Sequence, residues 1–483
     1  MKKLALVLAL CLLLSSCSVS EIEELEKDSE NEVSAFRVDT SYFGVGFAKS
    51  ESADPYTSPN KLNSELMGLI CEPLFSVTPT FSALPVLCSE YVTQDKTYIF
   101  TIRSDATFSD GSSVLPSDVE YSLRAACEAD SYYANSLSIV ESISSSDKSG
   151  TVTVRLRYDN SRFPLLLDIP IIKKGTRGNT LPTGSGLYAP NDDLSALVMR
   201  RNHHSKSEGL YSSVALVNVS STDEMLFEFD NHTISLLSND PTGTAPLSLM
   251  SAAEIYHVPT TRLHYIGFNF RREIFKDKEV RLAIARAIDR ESAAKSDFAL
   301  MGTPSTLPFS PHATAYSEEF AASLSYDGAT PIALNEPITL LVNSENNAKL
   351  SVAKRIAETL TRLGLPCTVR AESFSDYAAA LAGGNFDIYY GEVSLGADFD
   401  LTRILQGSLN YGAFYDTSLL ALHSAYLSGD EGKDDFLRAF CDVLPFVPIM
   451  FKSTAVHTPK NFFETLTPTA TNVYYNFAGW TLR

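Results

Sequence analysis

Residues 97–126 read TYIFTIRSDATFSDGSSVLPSDVEYSLRAA. Tyr98, Phe100 and Ile102 alternate with Ile99 and Thr101, the period-2 pattern of a strand with one buried face. Asp105 to Ser113 is dense in Asp, Ser and Gly, and Asp110-Gly111 is a strong turn pair. Pro116 then precedes Ser117, and the spacing Ser117-x-x-Glu120 predicts a capping box at the start of a helix. Val119, Leu123 and Ala126 fall on one face of that helix. The stretch is a strand–turn–helix unit.

Around this unit the chain runs to 483 residues, too long for one core, so two or three domains are expected. An apolar fraction of 44% is ordinary for a folded soluble protein. The net charge of −19 argues against nucleic acid and anionic membrane surface as partners. At the N-terminus, Lys2-Lys3 precedes an apolar run from Leu4 to Leu14 that is too short to span a bilayer comfortably. It ends Leu14-Ser15-Ser16-Cys17, which looks like a bacterial lipobox and makes Cys17 the expected lipidation site of a signal peptide over residues 1–17. A plain signal peptide with an incidental cysteine is the alternative. Residues 18–35 carry seven acidic side chains between Glu21 and Glu32 against one Lys, the composition of a solvated tether. Five further cysteines (Cys71, Cys88, Cys127, Cys367 and Cys441) stand at wide, unrelated spacings. They form neither a disulfide framework nor a zinc pattern, and read mostly as buried small hydrophobes, with a Cys71–Cys88 bridge left open.

The wording of the opening stretch adds to its periodicity. Tyr98-Ile99-Phe100-Thr101-Ile102-Arg103, Phe108-Ser109-Asp110-Gly111 and Asp118-Val119-Glu120-Tyr121-Ser122 together resemble the signature of the family 5 extracellular solute-binding proteins. These are the oligopeptide- and dipeptide-binding type that serve ABC importers. Other segments resemble the same family in the same order. They are Asp54-Pro55, Leu62 to Phe75, Leu84-Pro85-Val86-Leu87, the loop Leu181 to Tyr188, the strand Leu263 to Phe270, Val280-Arg281-Leu282-Ala283, Ala287-Ile288-Asp289-Arg290, and Asn472 through Trp480. The resemblance covers nearly all of residues 36–483. It implies an α/β, two-lobe periplasmic-binding-protein-like fold of type II, of the large cluster with an extra subdomain in its first lobe, the lobes joined by two crossing strands. The boundaries it implies are 36–267 for lobe I (extra subdomain about 60–180), 268–456 for lobe II, and 457–483 for the return to lobe I.

Read for local structure, Ile139–Ile143 and Val152–Leu156 form a hairpin-like pair. Gly184 and Gly186 supply backbone freedom for a tight loop. Asp277 caps a helix carrying Val280, Ile284, Ala287 and Ile288 on one face. Its Arg and Lys residues read as solvated or interlobe. From Ile338 to Val393 the pattern is an α/β alternation, with strands at Ile338–Val342, Cys367–Val369 and Phe386–Tyr390 and helices at Ala348–Leu363 and Asp376–Ala382. Gly364 is a C′ cap. Such crossovers make a parallel sheet, with ligands beyond the carboxyl ends of the strands.

The segment beyond Phe386–Tyr390 is therefore the candidate site, Gly391 to Leu405 (GEVSLGADFDLTRIL). Ala397-Asp398-Phe399-Asp400 resembles the family's Ala-Asp-aromatic-Asp motif with one residue deleted. The resemblance implies that Asp398 pairs with a peptide's α-ammonium and that the backbone before it pairs with the peptide in β fashion. Ser394, Leu395, Gly396, Asp398 and Phe399 are the candidate ligand-binding residues. Leu395 stands where the family has Trp and Leu401 where it has Pro, which leaves the ligand class open. An alternative reading has Asp398 capping a helix that begins near Leu401.

No His-Glu-x-x-His, Walker A or Rossmann glycine pattern is present. Gly184-Ser185-Gly186 lacks the spacing of a nucleophile elbow. His203-His204 sits in a polar context that reads as surface. Asp398 and Asp400 would point opposite ways on an extended segment, so no acid–base dyad is nominated. Neither metal, cofactor nor catalysis is expected. The reading is a lipid-anchored, monomeric substrate-binding protein that gives short peptides to an ABC permease and its ATPase. The alternatives are a nickel chelate, opine or saccharide as ligand, a surface-anchored binding or sensing protein without a transport role, or a secreted hydrolase.

Overall fold

The computed structural model describes residues 39–206, 208–332, 334 and 336–483. The lipobox Cys17, the acidic tether and Phe36 lie outside the described residues. Thr97–Ile102 is a strand with Tyr98, Phe100 and Ile102 all buried, as the alternation predicts. It is the inner strand of an antiparallel sheet, between Cys88–Gln94 and Thr151–Leu156, with Val140–Ser146 beyond the latter. The helix over Pro116–Ala126 buries Val119, Leu123 and Ala126.

The cap of that helix differs from the expected box. Pro116 occupies the first turn, where its missing N–H costs nothing, so the cap moves back to Leu115. Asp118 Oδ2 accepts from the Leu115 N–H. Ser117 instead bonds Asp147, and Glu120 pairs with Arg124 and Ser145.

Gly184 and Gly186 also serve differently from the expectation, through close approach rather than unusual dihedrals. A Cβ at Gly184 would lie 1.9 Å from the carbonyl oxygen of Ile70, at the end of the helix Lys61–Ile70. One at Gly186 would lie 2.5 Å from that of Leu69. The loop is threaded against a helix terminus, and only glycine fits there.

Two large apolar cores divide the structure. The first holds residues from Phe43 to Val258 and takes in Phe462, Phe463, Tyr474, Phe477 and Trp480 from the C-terminal segment. Phe43 and Phe477 meet at 5.0 Å between ring centroids, and Phe477 and Trp480 at the same distance. Each aromatic so buried contributes about 1.5–3 kcal/mol. The second core holds residues from Leu263 to Phe451, joined by Val77 and Phe81.

Two long antiparallel strands, Ala253–Phe268 and Phe446–Pro459, run through both cores. Val258 and Val456 lie in the first core, while Leu263 to Phe268 and Phe446 to Phe451 lie in the second. The result is a mixed α/β protein of two lobes joined by two crossing strands. Their pairing shifts register between Pro259 and Arg262 and again between His264 and Tyr265.

The second lobe's sheet is mixed rather than wholly parallel. Ile338–Asn343 is parallel to both Cys367–Glu372 and Ile388–Ser394, but Ile388–Ser394 is antiparallel to the first crossing strand. That antiparallel ladder, from Phe268↔Ile388 to Arg262↔Ser394, carries the strand four residues past Tyr390. The helix Asn347–Arg362 buries Val352, Ile356 and Leu360, and Gly364 ends it at φ 96°. Asp277 caps Lys278–Arg286 by accepting from the Glu279 N–H.

Two arginines of that region are buried, not solvated. Arg281 donates to the carbonyls of Val443, Leu444, Phe275 and Lys276. Arg290 donates to those of Pro448, Ala285 and Ile288. Each guanidinium gathers carbonyls that helix ends and turns leave without partners, the accounting that a buried backbone demands. Cys71, Cys88, Cys127, Cys367 and Cys441 are all free thiols, three of them buried. Among the described residues no helix is long and apolar enough to cross a membrane.

Candidate functional site

The strand Ile388–Ser394 delivers the candidate segment to the space between the lobes. Pairing with Ile338–Asn343 covers only Ile388 and Tyr389, so the strand edge beyond Tyr389 carries no partner strand among the described residues. Leu395 is tied down on its other side. Its N–H donates to the Thr261 carbonyl at 3.2 Å, and its carbonyl accepts from Thr261 Oγ1 at 2.7 Å.

The chain then turns. The Phe399 N–H closes on the Gly396 carbonyl at 3.0 Å, with Phe399 in the left-handed region at φ 55°. That turn sends the Phe399 ring inward against Phe81, Phe309 and Phe451. Phe399 is buried and does not reach the cavity.

Two adjoining chambers occupy the cleft. One, of about 700 Å³ to its open mouth, is lined by Phe81, Leu166, Asp168, Thr261, Leu395 and Gly396 among others. The second, of about 500 Å³, is lined by Ser136, Tyr158, Ser394, Asp398, Asp400 and Arg403 among others. Ser136, Leu166, Leu395 and Gly396 line both and form the wall between them. Four of the five candidate residues, Ser394, Leu395, Gly396 and Asp398, therefore meet at the cleft.

Because the segment turns instead of extending, Asp398 and Asp400 face the same loop of the opposite lobe. Asn160 Nδ2 donates to Asp398 Oδ2 at 2.7 Å, and Tyr158 donates through its hydroxyl to Asp400 Oδ2 at 2.7 Å. The Ser161 N–H donates to the Leu427 carbonyl at 2.7 Å, a third bond between the lobes. Asp398 is 2% exposed, and its Oδ1 accepts from the Asp400 N–H at 3.3 Å. The short helix Thr402–Leu405 is capped by Asp400, whose Oδ1 accepts from the Thr402 N–H and hydroxyl. His423 Nε2 accepts from the Leu401 N–H at 3.2 Å, and burial holds its pKa down at about 4.

No Lys or Arg pairs with Asp398 among the described residues. Burial pushes its pKa up to about 7 and the Asp400 charge adds to the shift, while Asn160 and the Asp400 N–H oppose it. Asp168, in the other chamber, is raised to about 6 by burial against hydrogen bonds from Thr471 and the Val77 N–H. Both folded-state values exceed the ordinary carboxyl value, so the folded protein binds more protons than the unfolded chain between them. The stability these groups contribute is present below about pH 4 and lost as pH rises through 6 to 7. A cation placed beside Asp398 would restore it.

Asn160, Tyr158, Thr261, Ser136 and Asp168 belong to the site and are not legible in the sequence. Asn160 and Asp398 stand 238 residues apart.

The sequence matches the family model described as bacterial extracellular solute-binding proteins, family 5 Middle, over residues 84–407, more than half of the chain. No curated protein matches the chain. Similar solved structures include the oligopeptide-binding protein AppA of Bacillus subtilis with a nonapeptide, at 18% identity and TM-score 0.57, covering 91% of this chain and 98% of that one. A nickel ABC transporter structure from Bacillus halodurans reaches TM-score 0.71 at 16% identity, covering 89% and 98%. AgaA of A. tumefaciens R10, solved with agropinic acid, gives TM-score 0.56 at 19% identity, covering 90% and 96%. At these identities the likeness shows the fold alone.

Proposed function

Since the chain belongs to the family 5 bacterial extracellular solute-binding proteins of ABC importers, we propose that it captures short peptides between its lobes and passes them to a membrane permease. The observation that carries this reading is the buried Asp398 with the half-buried Asp400 beside it, both facing a cleft chamber and, among the described residues, lacking a Lys or Arg partner. A peptide's α-ammonium supplies the missing charge. The open strand edge beyond Tyr389 supplies main-chain partners, which read backbone rather than side chains and so tolerate varied sequences. Among the described residues no histidine lines either chamber, which disfavours a nickel ion held by an imidazole of the protein itself. The lobes would be 36–267 with 457–483, and 268–456, hinged where the two crossing strands pass from one core to the other.

A thermal-shift screen of di- to pentapeptides against opines, saccharides and nickel–histidine tests the ligand class. A peptide at about a hundredfold its Kd stabilises the protein by about 2.7 kcal/mol. A shift from an opine or saccharide with none from any peptide rules the peptide reading out.

Cys17 is the proposed lipid anchor and the protein a monomer at the membrane surface, on the support of the lipobox Leu14-Ser15-Ser16-Cys17. Cys17→Ser should release the protein or leave it unprocessed. Mass spectrometry finding a free thiol at Cys17 in membrane-bound protein would exclude the anchor.

A further inference from the structure

His203 and His204 read from sequence as surface residues, but their side chains are only 5% and 3% exposed. They follow Arg200, whose guanidinium donates to the carbonyls of Ser185, Gly186, Thr107 and Phe108 and so pins the turn to the first core. That turn faces Glu72, which lies just past the helix Lys61–Ile70 and bridges Ile171 through its backbone. The Nε2 atoms of both histidines stand 3.3 Å from Glu72 Oε1. The three residues offer ligand atoms that all lie within 4.8 Å of one another.

Glu72 faces both imidazoles, but these contacts leave polar atoms of the cluster unsatisfied. Glu72 Oε2, His203 Nε2 and His204 Nδ1 are buried without a hydrogen-bond partner among the described residues. A separation of 3.3 Å exceeds the about 2.7–2.9 Å of a charge-assisted N–H···O bond. It matches the roughly 3.4 Å between two donors that share one tetrahedral zinc at about 2.0–2.1 Å. His203 Nδ1 lies 2.7 Å from Ser205 Oγ, the outer contact that fixes the tautomer of a ligating imidazole. Of the nearby cations, Arg200 is committed to carbonyls and Arg103 to Asp105.

We propose that Glu72, His203 and His204 bind a divalent transition metal, with two imidazoles and one carboxylate suiting zinc and a water completing four-coordination. The metal clips the turn after Arg200 to the end of the helix Lys61–Ile70. The three ligands line neither cleft chamber, so the proposal stands independently of the transport reading.

The test uses the full chain after chelator treatment, titrated with zinc chloride alone. One equivalent binds per chain and raises the melting temperature. Cobalt(II) in its place gives the intense visible bands of a tetrahedral site, which zinc abolishes. Glu72→Gln and His204→Gln each weaken zinc binding by roughly a hundredfold or more. Absence of stoichiometric zinc binding or of tetrahedral cobalt bands in the wild type overturns the proposal, whether or not the variants fold. So does affinity unchanged in both variants.

Discussion

Asp398→Asn should weaken the binding of peptides with a free amino terminus by about thirtyfold or more, the loss of about 2–5 kcal/mol that follows when one partner of a desolvated charge pair is removed. The same variant should keep the melting temperature of the ligand-free protein near or above that of the wild type at pH 8. There the wild-type carboxyl, its pKa raised to about 7 by burial and by the Asp400 charge, is ionised without a cation partner. The amide that replaces it keeps an oxygen for the Asp400 N–H, and Asn160 must turn its own amide oxygen from the Arg162 N–H to the new NH2, so the turn exchanges one neutral bond for another. The pH dependence separates the roles further. The wild type loses stability from about pH 4 to pH 7 as Asp398 ionises, and the variant lacks that share of the slope. Wild-type protein should also discriminate strongly against N-acetylated peptides. Equal binding of acetylated and free peptides would show that Asp398 does not hold an amino terminus.

Arg281→Met should destabilise the protein by on the order of 3–5 kcal/mol, since it strips the donor from four carbonyls, two of them on the fully buried Phe275 and Leu444. The guanidinium sits in the second lobe between Phe275–Lys276 and Val443–Leu444, with contacts from 2.6 to 3.2 Å. Leu444 is left-handed at φ 48° and ends the helix Lys433–Val443, whose last carbonyls Arg281 satisfies. Methionine preserves much of the stem's apolar contact and removes only the donors. Urea denaturation of the two proteins measures the difference. A change under about 1 kcal/mol would mean the carbonyls find other partners.

The contrast between these two residues marks what the sequence made legible. Asp398 could be nominated because it follows a strand and sits in a four-residue motif, and Asp277 and Gly364 because caps are local. The alternation of Tyr98, Phe100 and Ile102 is likewise contained in six residues. Arg281 looked like a helix-surface cation because two of its four partners lie 162 and 163 residues away. His203-His204 looked solvated for the same reason, since Glu72 brings the cluster together across more than a hundred residues. Phe399 shows a different limit, in that nothing in Ala-Asp-Phe-Asp announces a left-handed residue. That one dihedral decides which neighbours face the cleft. Periodicity reports which side of an element is buried; it is silent on what lies opposite.

The C-terminal aromatics carry a consequence for the order in which the molecule is assembled. The second core draws almost wholly on residues 263 to 451, one continuous stretch, and can condense as soon as that stretch has been synthesised. The first core cannot. Phe43, at the beginning of the described chain, packs against Phe462, Phe463 and Phe477 near its end. A nascent chain therefore completes its later half first and its earlier half last. Until then the N-terminal half holds an unfilled apolar face, the surface that a chaperone binds or that aggregation exploits. Truncating a few residues from the C-terminus removes Trp480 and unseats the first lobe, although the missing residues are as far from its beginning as the sequence allows.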